Sequence, residues 1–457
     1  MKLISKNPSK NHEVLGEVLE TTKEEVLEKL SSARLVQQEW AELFLSKRIE
    51  IIRGLHKSFE LNLNKIANLV SLEMGMPITQ SKEEVESGLN YLGWYLDNAE
   101  KYLSPETTFE SETEIHKVFY EPKGIVVSIT PWNYPFSNLI WQSCQNLIVG
   151  NIVINKPDPN NPLVYKLLEE IINESNLPKG VQQFVYGGKE IGQFLINQDI
   201  DMICFTGSTQ TGEQLYKVAA EKMIPILMEL GGSAPGIIFE DADIDSVIDS
   251  IFFNRFLNCG QICDGLKRLI VHENKIDEVI EQLTNIINKQ TIGEAINEST
   301  TIGPLVNEKQ LNVLIEQFDD AVNKGAKAIC GGKTPAALKG SYFAPTVLTN
   351  ITKDMKVWNE EVFGPILPII TFKTFEDAIE LANDTIYGLG GYVFTKSKET
   401  FEKASRKIKT GMVACNNLIY VIPNDPFGGV KKSGIGRNHS KFGFQELCNI
   451  KVVTFEK

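Results

Sequence analysis

The chain predicts an α/β protein built on doubly wound, largely parallel sheets. Short β-branched runs recur from residue 124 onward: "IVVSI" within 124–135, "IVIN" (152–155), "QQFVY" (182–186), "MICFTG" (202–207) and "IPILMEL" (224–230). Amphipathic segments of helix length separate them. Strands spaced by helices form parallel βαβ units, and such units build doubly wound sheets.

Taken in order, the elements begin with a polar lead-in. Thr22 and Glu25 then form a capping box at the start of a helix whose apolar face is Val26, Leu30 and Ala33. Helical pattern dominates to about residue 104. After the first run of strands, "APGIIFE" (234–240) opens a second strand-and-helix series that continues past "GYVFT" (391–395), which predicts a second α/β domain. In "ICFTGSTQTGEQLYKVAAEKM" (203–223) a strand and a Gly-flanked turn lead into a helix that packs through Leu215, Val218, Ala219 and Met223. Two further strands, "EIHKVFYEPKG" (114–124) and "ELCNIKVVTFEK" (446–457), have no partner nearby in sequence. Strands of that kind pair with each other or across a subunit interface.

The totals narrow the function classes. At 457 residues the chain has room for two or three domains. Its 46 basic and 59 acidic residues give a net charge of −13, which disfavours nucleic acid or an anionic membrane as partner. No apolar run approaches the roughly 18 residues of a membrane span, and the N-terminal stretch lacks the apolar core of a secretory signal. Seven scattered cysteines suit free thiols in a reducing cytoplasm.

Several motifs are decoys. "GGKT" (331–334) lacks the earlier glycine of a phosphate-binding loop, because residue 327 is lysine, and reads as a turn. There is no HExxH and no GxSxG. Cys259 and Cys263 would make half a zinc site with no matching second half.

Three residues invite chemistry, each with a plainer alternative. Glu229 lies in the apolar run "IPILMELGGSAP", where burial raises a carboxylate's pKa toward that of a useful general base; alternatively it ends a strand in solvent. Cys263 follows Gly260-Gln261-Ile262, a loop or helix start whose N–H groups favour a thiolate, yet an inert buried cysteine fits the same residues. Asn133 in "ITPWNYP" (129–135) is held by two prolines at a strand end, where α/β sheets bind ligands, or is an ordinary turn residue. Ser208 at the start of the following helix offers donors to a diphosphate, though Gly207 and Gly212 do not complete a GxGxxG fingerprint.

Together "TPWNYP", "NKPDPN", "FTGSTQTG", "MELGGSAP", "NCGQIC", "EEVFGP" (360–365) and "PFGGVKKSGIGR" (426–437) resemble the aldehyde dehydrogenase superfamily, in its order and relative spacing over essentially the whole chain. The tail "GGVKKSGIGRNHSKFGFQELCNIKVV" is most similar to compact bacterial succinate-semialdehyde dehydrogenases. The resemblance implies a Rossmann-like cofactor domain (1–113 and 125–230), an α/β catalytic domain (231–435) and a small β oligomerisation domain (114–124 and 436–457) of a homodimer or homotetramer. It implies Cys263 as nucleophile, Glu229 as general base and Asn133 as oxyanion-hole donor. NAD or NADP is the implied cofactor. It would be bound at Trp132, Asn133, Lys156, Pro157, Asp158, Pro159, Gly207, Ser208, Gly212, Leu230, Glu361 and Phe363.

The expected reaction is oxidation of an aldehyde to a carboxylic acid through a thiohemiacetal and a thioester, with hydrolysis rather than transfer to coenzyme A. Succinic semialdehyde is one expected substrate; lactaldehyde and medium-chain or aromatic aldehydes are the alternatives, and a catalytically silent binding protein on the same fold is the non-enzymatic one. Trp141, Asp264 and Arg268 are the candidate substrate contacts. Pro159 stands where many NAD-preferring members carry a ribose-binding Glu, which leaves NADP open. Trp141 stands where succinate-semialdehyde enzymes commonly carry Arg. Asp264 beside the nucleophile would repel an anionic substrate if it faces the site. Cys259 is either a bystander or a redox partner of Cys263.

Overall fold

The computed structural model describes residues Met1–Lys457 and contains two large mixed-layer units. The first is a six-stranded sheet. Its order is Gly434–Ile435, Ile226–Glu229, Met202–Thr206, Ile125–Thr130, Ile152–Pro157 and Gln182–Phe184. All neighbours are parallel except the short Gly434–Ile435 strand, which runs antiparallel to Ile226–Glu229. The second is a seven-stranded sheet from Lys327–Cys330 to Ala414–Cys415. Ala234–Ile238, Leu266–His272 and Ile366–Phe372 lie at its centre. Each sheet has its own apolar core, as the two strand-and-helix series predict.

The helix Lys23–Glu42 starts at the expected capping box, with Thr22 Oγ1 accepting from the Glu25 N–H and the Glu25 carboxylate accepting from the Thr22 N–H. Val26, Leu30 and Ala33 are buried. Three more helices, Leu45–Leu61, Leu63–Met74 and Ile78–Leu103, add their apolar faces to the first core. In the helix Thr209–Lys222, Leu215 and Ala219 pack inward, but Met223 does not. It takes the left-handed C-cap conformation (φ 54°) and is 90% exposed. A helical repeat cannot be extended through a residue that ends the helix.

Two further differences concern strands. Residues 1–19, read as a polar lead-in, form an antiparallel hairpin of Lys2–Asn7 and Glu13–Leu19. Its strands mix single apolar residues with charged ones, which leaves no clear period of two. The strand Glu114–Pro122 does pair with Cys448–Glu456, in register from Cys448 opposite Pro122 to Glu456 opposite Glu114. It also has a local partner, Glu106–Glu110. That segment, "ETTFE", is exposed throughout and carries one large apolar residue, so hydrophobic pattern could not reveal it.

The C-terminal stretch is divided between two sheets. Gly434–Ile435 completes the first sheet, and the helix Ser440–Glu446 sets Phe444 and Leu447 into the first core. Only the final strand belongs to the three-stranded sheet, so 436–447 is not part of it. The return of the chain to the first unit after residue 426 matters for the site. No helix is long and apolar enough to cross a membrane.

Candidate active site

A cavity of about 580 Å³ lies between the two units. Three strands of the first sheet, Ile125–Thr130, Met202–Thr206 and Ile226–Glu229, end on it, delivering Trp132 and Asn133, Gly207 and Ser208, and Glu229 and Leu230. The second unit contributes Cys263, Asp264, Glu361 and Phe363. Sites at strand carboxyl ends are expected of a parallel sheet, because the loops there face one common crevice.

Cys263 sits just beyond a tight turn, Leu257–Gly260, in which Asn258, Cys259 and Gly260 all have positive φ. Strain of this kind is retained where surrounding bonds over-determine it. Here the Gln261 carbonyl accepts from Asn133 Nδ2 at 3.0 Å, and Asn258 Nδ2 donates to the Asn133 carbonyl at 3.0 Å. Asn133 is thereby laced to the Cys263 loop, with its second Nδ2 hydrogen left over. Lys267, buried on the strand Leu266–His272, donates from Nζ to the carbonyls of Cys263 (3.0 Å) and Gly232 (2.8 Å), and pairs with Glu361. Burial pushes the Cys263 thiol well up, Asp264 pushes it further, and Lys267 pulls it back in part. Cys259 is sealed in the second core, where burial pushes its thiol up to about 12; the seven cysteines are all free. These facts fit the bystander reading of Cys259.

Glu229 ends its strand facing inward, not in solvent. Asn438 Nδ2 donates to its Oε1 at 3.2 Å, and Oε2 has no partner. Burial holds this carboxyl well above the usual carboxylate range; Arg437 and Asn438 act the other way, and Asp264 adds to the rise. A methyl group at position 428 would lie 2.9 Å from Glu229 Oε1, so the glycine there lets the returning chain pass close. A carboxylate that lines a cavity with one oxygen anchored and the other without a partner is suited to taking a proton from water.

One arm of the cavity fits a nicotinamide dinucleotide. The helix Thr209–Lys222 begins there at Ser208, whose Oγ accepts from the Thr211 N–H and leaves the first N–H groups free for a phosphate. Glu361, held by Lys267, offers a carboxylate to ribose hydroxyls, and Trp132 meets Phe363 edge-on at 5.5 Å between ring centroids. Gly231 admits Glu361: a Cβ at 231 would stand 2.2 Å from its Oε2. Gly212 packs under Leu230 without touching the cavity. Lys156, Pro157, Asp158 and Pro159 are also off its wall, at the end of the adjacent strand. There Lys156 Nζ donates to the Pro157 carbonyl at 3.1 Å, and Asp158 Oδ1 accepts from the backbone and side chain of Asn160.

The other arm is aromatic and acidic. Trp141, Tyr134, Tyr392, Tyr420 and Phe427 line it, with Asp264 among them and Glu84 deeper in. Trp141 rides on a π-turn, Ile140–Cys144, within the helical stretch that begins at Pro135. His439, whose imidazole burial pushes down to about 3, packs edge-on against it at 4.8 Å between centroids. Asp264 faces the cavity, which answers the orientation question that the sequence left open.

Arg268 does not face it. Its guanidinium donates to the carbonyls of Ser233, Leu381, Ala382 and Asp384 and lies over the Trp358 ring. The expected substrate contact is therefore corrected: all its donors are spent on backbone within the second unit.

Sequence reasoning missed Lys267, Asn438 and, apart from Trp141, the aromatic wall. A lysine inside "LKRLIV" was a usable signal, since a charge in a buried strand needs a partner. For the wall there was none, because its residues come from segments far apart in the chain.

With this geometry in view, comparison with known proteins is direct. The model of the aldehyde dehydrogenase family matches residues 2–453. Aminoaldehyde dehydrogenase 1 of Pisum sativum is 34% identical, covering 98% of this chain and 91% of the relative. A probable NADP-dependent succinate-semialdehyde dehydrogenase of Sinorhizobium fredii is 33% identical, covering 98% and 91%. The solved structure of Staphylococcus aureus betaine aldehyde dehydrogenase in complex with NAD+ superposes with a TM-score of 0.95 at 31% identity, covering 99% of this chain and 91% of that one. The chain belongs to the aldehyde dehydrogenase family.

Proposed function

We propose that this enzyme oxidises a neutral or cationic aldehyde, with an apolar or aromatic body, to the carboxylic acid, using NAD or NADP. One observation carries the substrate class. No Lys, Arg or His lines the cavity, whereas Asp264, Glu84 and Glu229 do, with the five aromatic rings of the aldehyde arm beside them. A carboxylate substrate would enter this acidic, poorly solvated space without a partner, at a cost of several kcal/mol. Succinic semialdehyde is such a substrate, so the cavity speaks against the expectation drawn from the C-terminal motif. A cation would gain from both the rings and the acids.

The roles assigned to the site are consistent with its geometry. Cys263 attacks the carbonyl carbon, and the oxyanion accepts from Asn133 Nδ2 and the Cys263 N–H; one such donor is worth about 3–4 kcal/mol in the transition state. NAD or NADP, when bound, supplies the hydride acceptor. The cofactor arm orients it through Glu361, Phe363, Trp132 and the Ser208 helix start. Glu229 then activates the water that releases the acid, its Oε2 holding no hydrogen bond within the protein. The three-stranded sheet, with Ile450 and Val452 exposed on its edge strand, suits the homo-oligomer the family resemblance implies. Seven unpaired cysteines suit a reducing cytoplasm.

The test is a panel of aldehydes assayed by absorbance of the reduced nicotinamide, with each cofactor separately. Aromatic, aliphatic and amino aldehydes are expected to exceed succinic semialdehyde in kcat/KM. Succinic semialdehyde ranking first would overturn the substrate class.

A further inference from the structure

Three buried carboxylates, Glu84, Glu229 and Asp264, line the cavity of Cys263, and only Asp264 touches the thiol. The Cys263 thiol donates to Asp264 Oδ1 at 3.6 Å. No hydrogen bond joins Cys263 to Glu229, whose Oε1 is occupied by Asn438. Asp264 is also fixed from behind: its backbone carbonyl accepts from the hydroxyls of Tyr392 (3.2 Å) and Tyr420 (3.3 Å). Nothing forms an ion pair with its carboxylate, so the thiol is its nearest claimant.

Given that Cys263 is the nucleophile, which rests on the function proposed above, we propose that Asp264 takes the Cys263 proton during attack. The S–H bond breaks and the proton passes to Asp264 Oδ1. The S–C bond forms, and the carbonyl π pair moves onto oxygen, where Asn133 meets it. The exchange moves a proton over one contact and conserves the charge of the pair until the oxyanion forms. Glu229 is thereby left free for the water of the hydrolytic step, so each half-reaction has its own base.

A carboxylate beside a thiol has two opposed effects, and their signs differ. As a mere charge it opposes the thiolate and slows the nucleophile. As a proton acceptor it speeds reaction at pH values where free thiolate is scarce. The other charged groups facing the pair are Lys267, Glu229 and Glu361. The phenols of Tyr134, Tyr392, Tyr420 and Tyr91 also face it, and burial keeps them protonated well beyond neutral pH. Burial raises the Asp264 carboxyl itself. Burial pushes the Lys267 ammonium down, so below the thiol's own titration both the carboxylates and Lys267 shape the profile, and the Asp264→Asn and Glu229→Gln variants tell the carboxylates apart.

The experiment is alkylation of the cofactor-free full-length enzyme by iodoacetamide across pH. Modification at Cys263 is read by peptide mass spectrometry, with Cys263→Ser as the blank. The wild type is expected to show two limbs: a first rise as Asp264 ionises, a shelf above it, and a second rise as the thiol ionises. Asp264→Asn should lose the first limb and react roughly 10²-fold more slowly at neutral pH, with Asp264→Glu recovering part of the rate. Glu229→Gln should keep the first limb. A single limb in the wild type would overturn the proposal. So would loss of the first limb in Glu229→Gln, or an Asp264→Asn variant that reacts as fast as wild type or faster. If Asp264→Asn does not fold, the wild-type and Glu229→Gln profiles decide. Absence of turnover with every aldehyde would instead count against the proposed function, and the alkylation profile would still report on the pair.

Discussion

The two arms of the cavity are built in different ways. Most of the cofactor arm consists of strand ends and the first residues after them: Trp132, Gly207, Ser208 and Leu230 each follow closely on a strand of one sheet, and Glu361 and Phe363 join them from the second unit. The aldehyde arm is assembled from side chains on five separate stretches, around residues 84, 134–141, 264, 392 and 420–427. An arm made by backbone geometry tolerates little change, because moving it means moving the sheet. An arm made by side chains can be re-lined one residue at a time. Common chemistry and variable aldehyde range are the expected result, in keeping with relatives of similar identity named for aminoaldehydes and for succinic semialdehyde.

Substitutions where the arms meet should have the largest effects. Cys263→Ser is expected to abolish turnover with every aldehyde and either cofactor, since an alkoxide is neither as available a nucleophile nor as good a leaving group as a thiolate. Residual turnover above one part in about 10³ would show that the arms communicate through some other group. Glu229→Gln should separate the half-reactions. Rapid-mixing absorbance is expected to show a burst of reduced nicotinamide, with steady-state acid release falling roughly 10²–10⁴-fold. The pH dependence follows from Glu229's raised titration. As pH falls through a pKa above the ordinary carboxylate range, the base is protonated and steady-state turnover drops. The Gln variant should lack that limb, and a variant with no burst would argue against a purely hydrolytic role.

The same contrast explains what could be read in the sequence. Strand-end motifs are contiguous, so "TPWNYP", "FTGSTQTG" and "MELGGSAP" displayed both their secondary structure and their chemistry. Glu229, Cys263 and Asn133 came together on one cavity, as their motifs implied. Arg268 shows the limit of that reasoning. Its position one residue beyond Lys267 on a buried strand decides which neighbours it meets, and strand alternation turned it into the second core while Lys267 faced the nucleophile loop. Asn438 and Phe427 illustrate the other limit. They exchange backbone hydrogen bonds of 2.8 and 2.9 Å that set one beside Glu229 and the other on the aromatic wall. Nothing local in "PFGGVKKSGIGRN" announces that bridge.

Within the aldehyde arm, Trp141→Ala should change selection more than chemistry. Removing the ring enlarges the cavity beside Phe427 and Tyr91, which contact it at 5.8 and 5.3 Å between centroids. Bulky aldehydes are expected to gain on small ones by roughly 10–200-fold in relative kcat/KM, the range that pocket volume commands. The burst with the best substrate should persist. An equal loss for all aldehydes would mean that Trp141 supports the nucleophile rather than the pocket, and the division between the arms would fail.

The smallest effect is expected beside the cofactor arm, at the end of the adjacent strand Ile152–Pro157. Pro159 follows the buried Lys156 by three residues and carries no group that could repel a 2′-phosphate. Pro159→Glu would add a carboxylate there, at the edge of a turn already organised by Asp158 and Asn160. One partly solvated like-charge contact costs about 1–2 kcal/mol, so the ratio of kcat/KM for NAD to that for NADP should rise about tenfold. Neither the aldehyde ranking nor the Glu229 pH limb should change, because nothing in the aldehyde arm touches this turn. A ranking that did change would mean that the arms are coupled through the first sheet, and that the strand-end framework yields more than its geometry suggests.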